Sequence, residues 1–150
     1  MTASIQHPVP KWDVAHPYIE RVVVQPGDVD QFGHANNVVY LSWLERVAWG
    51  HSIHLGLDFA AYQRFGAGCV AHRHELDYLA PTFVGDELML GTWIAENDGR
   101  LTMWRAYQII RVSDARTVMR ARTRWVCVDF KTGRPRMQPP EYVAAYKPAT

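Results

Sequence analysis

Hydrophobic and polar positions change period along this chain, and the change divides it into one long helix and a set of strands. From Asn37 to Leu55 the apolar residues Val39, Tyr40, Trp43, Leu44, Val47 and Ala48 cover most of a helical circumference. Ser42, Glu45 and Arg46 fall at i, i+3 and i+4 on one narrow polar stripe. No Pro interrupts the run, Asn36 offers an N-cap and Gly56 a C-terminal stop, so the pattern predicts a single long helix buried on most sides. Asp58 can cap a short second helix through Arg64, which Gly66 and Gly68 then break.

The remaining periodic segments read as sheet. Tyr18 to Val24 is rich in β-branched residues and stops at Gln25-Pro26-Gly27-Asp28. Gly68 to Leu79 alternates and ends at Ala80-Pro81. Glu87 to Glu96 runs into the hairpin signal Asn97-Asp98-Gly99, with Leu101 to Val112 as its partner. Thr117 to Asp129 places Met119, Ala121, Thr123, Trp125 and Cys127 on one face and Arg120, Arg122 and Arg124 on the other, which predicts one dry and one charged sheet face. Strand, long apolar helix, then four strands on short turns implies an α+β architecture, an antiparallel sheet packed on one face against the helix. The domain is expected over residues 18–142, with an irregular arm at 1–17 and a Pro-rich, irregular C-terminal segment including a tail at 143–150.

Composition narrows the function classes. At 150 residues the chain suits one domain with one core, and six Trp point to an aromatic interior. A net charge of +1 gives no global electrostatic footprint for nucleic acid or an anionic membrane, so an anionic ligand must be met locally. Cys69 and Cys127 are too few for a disulfide framework and lack metal-ligand spacing; both are expected reduced and buried. With no secretory pattern and no run of roughly 20 apolar residues, cytoplasm is the expected compartment. His72 and His74, two apart on one strand face, have no third partner at ligand spacing, so no metal is expected.

The densest chemistry lies in Gly27-Asp28-Val29-Asp30-Gln31-Phe32-Gly33-His34-Ala35-Asn36-Asn37-Val38-Val39-Tyr40, between the first strand and the long helix. Backbone N–H groups in the first helical turn lack intrahelical acceptors and carry the positive end of the helix dipole, so they can stabilise an oxygen on which negative charge develops. A thioester carbonyl fits that need. Asp30, a few residues upstream, can present its carboxylate to the same carbon as nucleophile or as base for a water. Structural roles compete: Asp28 fits loop amides, Asn36 and Asn37 fit capping, and His34 fits loop support.

These residues resemble the signature of hotdog-fold thioesterases of the 4-hydroxybenzoyl-CoA thioesterase-like family. The pattern is an Asp-x-Asp ahead of a Gly, then His-x-Asn-Asn, an aromatic and a helical Glu-Arg pair. Here these are Asp28 and Asp30, Gly33, His34, Asn36 and Asn37, Tyr40, and Glu45 with Arg46. The likeness continues through Leu76-Asp77-Tyr78-Leu79-Ala80-Pro81 and Val84-Gly85-Asp86 to Asp129. It implies a hotdog fold, a five-stranded antiparallel sheet wrapped around one long central helix, working as a homodimer or homotetramer with sites at the subunit interface. It also implies an acyl-CoA thioesterase needing no cofactor, in which Asp30 is the catalytic carboxylate and the Asn37 N–H polarises the carbonyl. Some relatives place the carboxylate on the helix, which adds Glu45; carrier-protein thioesterases with a similar run keep His34 in view.

Substrate contacts are expected from Tyr40 and from His72, which could line the acyl pocket. Coenzyme A phosphates need basic groups, for which Arg100 in the hairpin turn and Arg122 and Arg124 on the outer sheet face are candidates. The competing functions are a thioesterase acting on an acyl carrier protein, and a non-catalytic hotdog module that binds acyl-CoA or scaffolds a partner.

Overall fold

The computed structural model describes residues 8–150, so the part of the expected arm that falls on residues 1–7 lies outside the described residues. The strands are β1 (Tyr18–Val23), β2 (Ala67–Tyr78), β3 (Glu87–Asn97), β4 (Thr102–Arg111) and β5 (Thr117–Asp129); the helices are α1 (Asn37–His54), α2 (Phe59–Phe65) and α3 (Pro140–Ala145). All five strands pair antiparallel in the order β1-β3-β4-β5-β2, which leaves β2 as one edge. The expected α+β architecture, a five-stranded antiparallel sheet with one long helix on one face, is the one observed.

Local chemistry sets the element ends as the sequence predicts. The Asn36 side chain accepts the Val38 N–H at 3.0 Å to open α1, and that of Asp58 accepts the Ala61 N–H at 2.8 Å to open α2. Gly66, left-handed at φ 67°, ends α2. The core forms where α1 meets the sheet: Leu44, Val47, Leu88, Leu90, Ile109 and Met119 are all buried. Each such side chain contributes about 1.5–3 kcal/mol by leaving water, and Leu44→Ala would cost about 2–5 kcal/mol by opening a void between helix and sheet.

The structure departs from the sequence reading at four places. The Pro-rich C-terminal segment is not irregular throughout: it holds α3, whose Pro140 stands in the first turn, where a missing N–H costs nothing. This helix buries Tyr142 and Tyr146, and the Tyr142 hydroxyl donates to the Ala67 carbonyl at 2.7 Å. The helix-facing side of the sheet is not dry either, because Thr92, Arg105 and Thr123 are all buried there. A bulge between Ala71 and Arg73 breaks the alternation of β2, so His72 and His74 do not share a face. His74 meets Thr123 at 2.8 Å while His72 stands 3.4 Å from Arg124. Finally, Cys127 is buried but Cys69 is half-buried as a residue, with its thiol withdrawn from water; they sit opposite each other across β2 and β5 as thiols.

The arm, where described, covers part of the charged face. Trp12 lies so close over β3 that a Cβ on Gly91 would come within 2.3 Å of its ring. The Gln108 amide donates to the Lys11 carbonyl at 3.1 Å and accepts the Asp13 N–H at 2.9 Å.

Candidate active site

The loop entering α1 is folded tightly by its own polar groups. Asp28 accepts the Gln25 N–H at 2.8 Å through its carboxylate, and its carbonyl takes the Asn36 N–H at 2.8 Å, a structural role. Asp30 and His34 close the next turn: the Asp30 N–H donates to the His34 carbonyl at 2.9 Å, and the Gly33 N–H to the Asp30 carbonyl at 3.0 Å. Gly33 is left-handed at φ 79°, a conformation that favours glycine. One oxygen of the Asp30 side chain accepts the Phe32 N–H at 2.9 Å; the side chain is otherwise exposed.

Past this turn, the Ala35 N–H donates to the Thr82 carbonyl at 2.8 Å, tying the loop to the segment before β3. His34 packs edge-on against Phe83, with ring centres 5.2 Å apart. At the helix start, the Asn36 side chain takes the Val38 N–H and the Asn36 carbonyl the Val39 N–H. The Asn37 N–H, first in the helix, has no intrahelical acceptor and none among the described residues. A hollow of about 250 Å³ lies there, lined by His34, Asn37, Tyr40 and Tyr78 among others. The Tyr40 hydroxyl bonds Thr82 at 2.7 Å, and burial pushes its pKa above the ordinary phenol range, so Tyr40 is a fixed, protonated wall.

A second, larger cavity of about 360 Å³ lies between α1 and strands β2, β4 and β5. Glu45 stands at its rim, and since α1 rises about 1.5 Å per residue, Glu45 is about 12 Å along the helix from Asn37. His74 lines the cavity, as do Ser52, Tyr62 and Tyr146, whose hydroxyls are linked. Arg105 also borders it and donates to His51 Nδ1 at 2.7 Å. Cys69 is part of the lining, but burial pushes its thiol up to about 12, so it is no nucleophile at neutral pH.

The structure thus gathers His34, Asn37 and Tyr40 around one hollow, with Asp30 in the adjoining turn, and places Glu45 at the other cavity. It does not gather the basic candidates. Arg122 lies 4.3 Å over the Trp104 ring and pairs with Glu75 at 2.5 Å, Arg124 stands beside His72, and Arg100 is exposed in the β3–β4 turn. Among the described residues no group of three His, Cys, Asp or Glu could hold a metal, and no helix is long and apolar enough to cross a membrane. Sequence reasoning missed Arg105 and His51. The signal was present in β4, where Arg105 is in phase with Met103, Tyr107 and Ile109 and therefore points inward.

Known proteins share this fold. The sequence pattern of the thioesterase-like superfamily matches residues 24–146. Among solved structures, a 1,4-dihydroxy-2-naphthoyl-CoA thioesterase from Synechocystis superposes with a TM-score of 0.78 at 18% identity, covering 87% of this chain and 96% of that one. A DHNA-CoA thioesterase from Staphylococcus aureus gives 0.78 at 19% identity, over 87% and 88% of the two chains. A hypothetical protein from Staphylococcus aureus in complex with CoA gives 0.81 at 12% identity, over 93% and 91%. No curated protein sequence matches. At these identities the likeness to the solved structures is one of fold.

Proposed function

The chain belongs to the thioesterase-like superfamily, with the hotdog fold, and we propose that it hydrolyses the thioester of an acyl-CoA to the free acid and coenzyme A. One observation carries the assignment of the site: Asn37, whose N–H at the head of an 18-residue helix has no acceptor among the described residues, lines a hollow together with His34 of the turn that holds Asp30. In this reading the thioester oxygen sits against the Asn37 N–H, where the helix dipole favours the charge that develops as the carbonyl carbon becomes tetrahedral. Asp30 either attacks that carbon, giving a mixed anhydride that water then hydrolyses, or takes a proton from the water that attacks it; in both routes one water supplies the oxygen of the free acid and the proton with which coenzyme A leaves as the thiol. His34 and Tyr40 shape the hollow, and Arg100, Arg122 and Arg124 are the candidates for the phosphates.

The exposed edge of β2, 12 residues long, supports assembly as a homodimer or homotetramer, as do the exposed apolar side chains Val38, Trp49 and Ile53 on α1. Two opposed cysteines left as thiols accord with work in the cytoplasm.

The test is thiol release across a panel of aromatic, short-chain and long-chain acyl-CoA esters. Asp30→Asn keeps an acceptor for the Phe32 N–H, so the turn should persist while kcat falls by about 100- to 10,000-fold. Full turnover by a folded Asp30→Asn variant would remove Asp30 from the chemistry. Glu45 is the alternative carboxylate, favoured by its place at the rim of the larger cavity, and Glu45→Gln in the same assay separates the two.

A further inference from the structure

Arg105 has an environment that hydrolysis alone does not explain. It is 2% exposed, and its guanidinium donates to His51 Nδ1 at 2.7 Å, to Thr92 Oγ1 at 3.3 Å and to Ser52 Oγ at 3.5 Å. All three acceptors are uncharged. A guanidinium has no acceptor atom, so Nδ1 of His51 must supply a lone pair, which leaves that imidazole neutral with its proton on Nε2. No carboxylate lies within 4 Å of Arg105 among the described residues, whereas every arginine with a carboxylate that close stands at a more exposed position. An ion taken out of water without a counter-ion is costly and needs a compensating partner.

The same cavity also holds an unmet donor. The Trp125 indole N–H is buried and borders the cavity; the Tyr107 hydroxyl is near it but does not meet it in hydrogen-bonding geometry, and no other described acceptor does. A buried cation and an orphan N–H facing one space are short of anionic acceptor oxygens, and that space is large enough to hold them.

Resting on the thioesterase reading above, we propose that Arg105 recognises a carboxylate at the far end of the acyl group, so that the substrate class is the mono-CoA thioester of a dicarboxylic acid. The carboxylate accepts two N–H bonds from the guanidinium and neutralises it. Glu45 lines the cavity too, but it lies about 10 Å along the helix from Ser52, so an acyl chain enters past it before its terminus reaches Arg105. The helix also acts as a ruler: Asn37 stands about 22 Å from Ser52, so a carbonyl held at Asn37 of the same subunit calls for a long chain, and one held near Glu45 for a short one.

The experiment compares kcat/KM for paired esters of equal chain length, from succinyl against butyryl up to hexadecanedioyl against palmitoyl, using the full chain as wild type, Arg105→Met and Arg105→Lys. At one chain length the wild type should prefer the carboxylated ester by about 10- to 100-fold. The preference should vanish in Arg105→Met and survive in part in Arg105→Lys. Hydrolysis of neutral esters with no preference at any length would overturn the carboxylate proposal and leave the thioesterase reading standing. Were no ester hydrolysed, the thioesterase reading would fail, and calorimetric binding of adipyl-CoA and hexadecanedioyl-CoA would judge Arg105 alone: tighter binding to wild type than to Arg105→Met supports the proposal, equal binding overturns it. If Arg105→Met does not fold, the wild-type preference and its retention in Arg105→Lys still decide.

Discussion

Arg105 on β4 and Arg120, Arg122 and Arg124 on β5 rise from neighbouring strands of one sheet, yet they end in opposite environments. The β5 arginines point away from α1: Arg120 pairs with Asp13 at 2.7 Å, Arg122 with Glu75 while lying over Trp104, and Arg124 stands beside His72. Arg105, opposite Thr123 in the ladder, points toward α1 and is buried with neutral partners. The difference is one of phase, since a shift of one residue moves a side chain to the other face. The energetic consequence is large. An exposed pair is held in high dielectric and changes little when broken, whereas a buried, unpaired cation costs free energy that a ligand can offset.

The largest effect tests that cost directly. If Arg105 is kept for a ligand and not for the fold, replacing it with an apolar side chain of similar length should stabilise the ligand-free protein. We expect Arg105→Met to be more stable than wild type by about 1–4 kcal/mol in urea denaturation. A loss of stability would show that the bonds to His51, Thr92 and Ser52 tie the fold together, and the contrast with the outer arginines would lose its meaning.

The next effect is on pH. Burial first, then the positive charge of Arg105, then that of His54 on its own helix, lower the His51 value from 6.5 to about 4; Tyr18 of β1 stacks on the ring. In the unfolded chain His51 gains a proton below its ordinary value, while the folded protein refuses it until about 4. Stability is therefore full above 6.5 and is lost as pH falls toward 4, by roughly 1–2 kcal/mol once the ring's partial exposure is allowed for. Arg120 holds the Asp13 carboxyl, and Arg122 the Glu75 carboxyl, below the ordinary carboxylate range, so these lose their contribution at lower pH. Denaturation midpoints between pH 7 and 4 should slope in wild type and flatten in His51→Asn; an unchanged slope in that variant would mean other groups carry it.

How much of this was legible beforehand follows from which forces act locally. Caps and turns at Asn36, Asp58, Gly66 and Asn97-Asp98-Gly99 are short-range chemistry, and the elements they bound are where the sequence puts them. The loop from Asp28 to Asn37 was readable for the same reason. Arg105 and the His72–His74 split were not. The first needs the phase of β4 against the core, read with an arginine among apolar residues; the second needs a bulge, which exists only once β2 meets β5. The gathering of Ser52, Tyr62 and Tyr146 depends on α3, and its starting prolines read locally as a breaker.

The smallest effect concerns the outer face. Arg120 makes two bonds to Asp13, at 2.7 and 3.0 Å, and so helps hold the arm whose Trp12 covers Gly91. Both partners remain exposed enough for solvent to screen them, so Arg120→Gln should cost only about 0.2–1 kcal/mol, and less as salt is added. Most of the arm's docking should survive through Trp12 and the Gln108 amide, because apolar burial and bonds between neutral groups are not weakened by ionic screening. The variant should leave the preference between carboxylated and neutral esters untouched. A change in that preference would mean that the outer arginines communicate with the cavity, and the division of the sheet into a recognising face and a solvated one would fail.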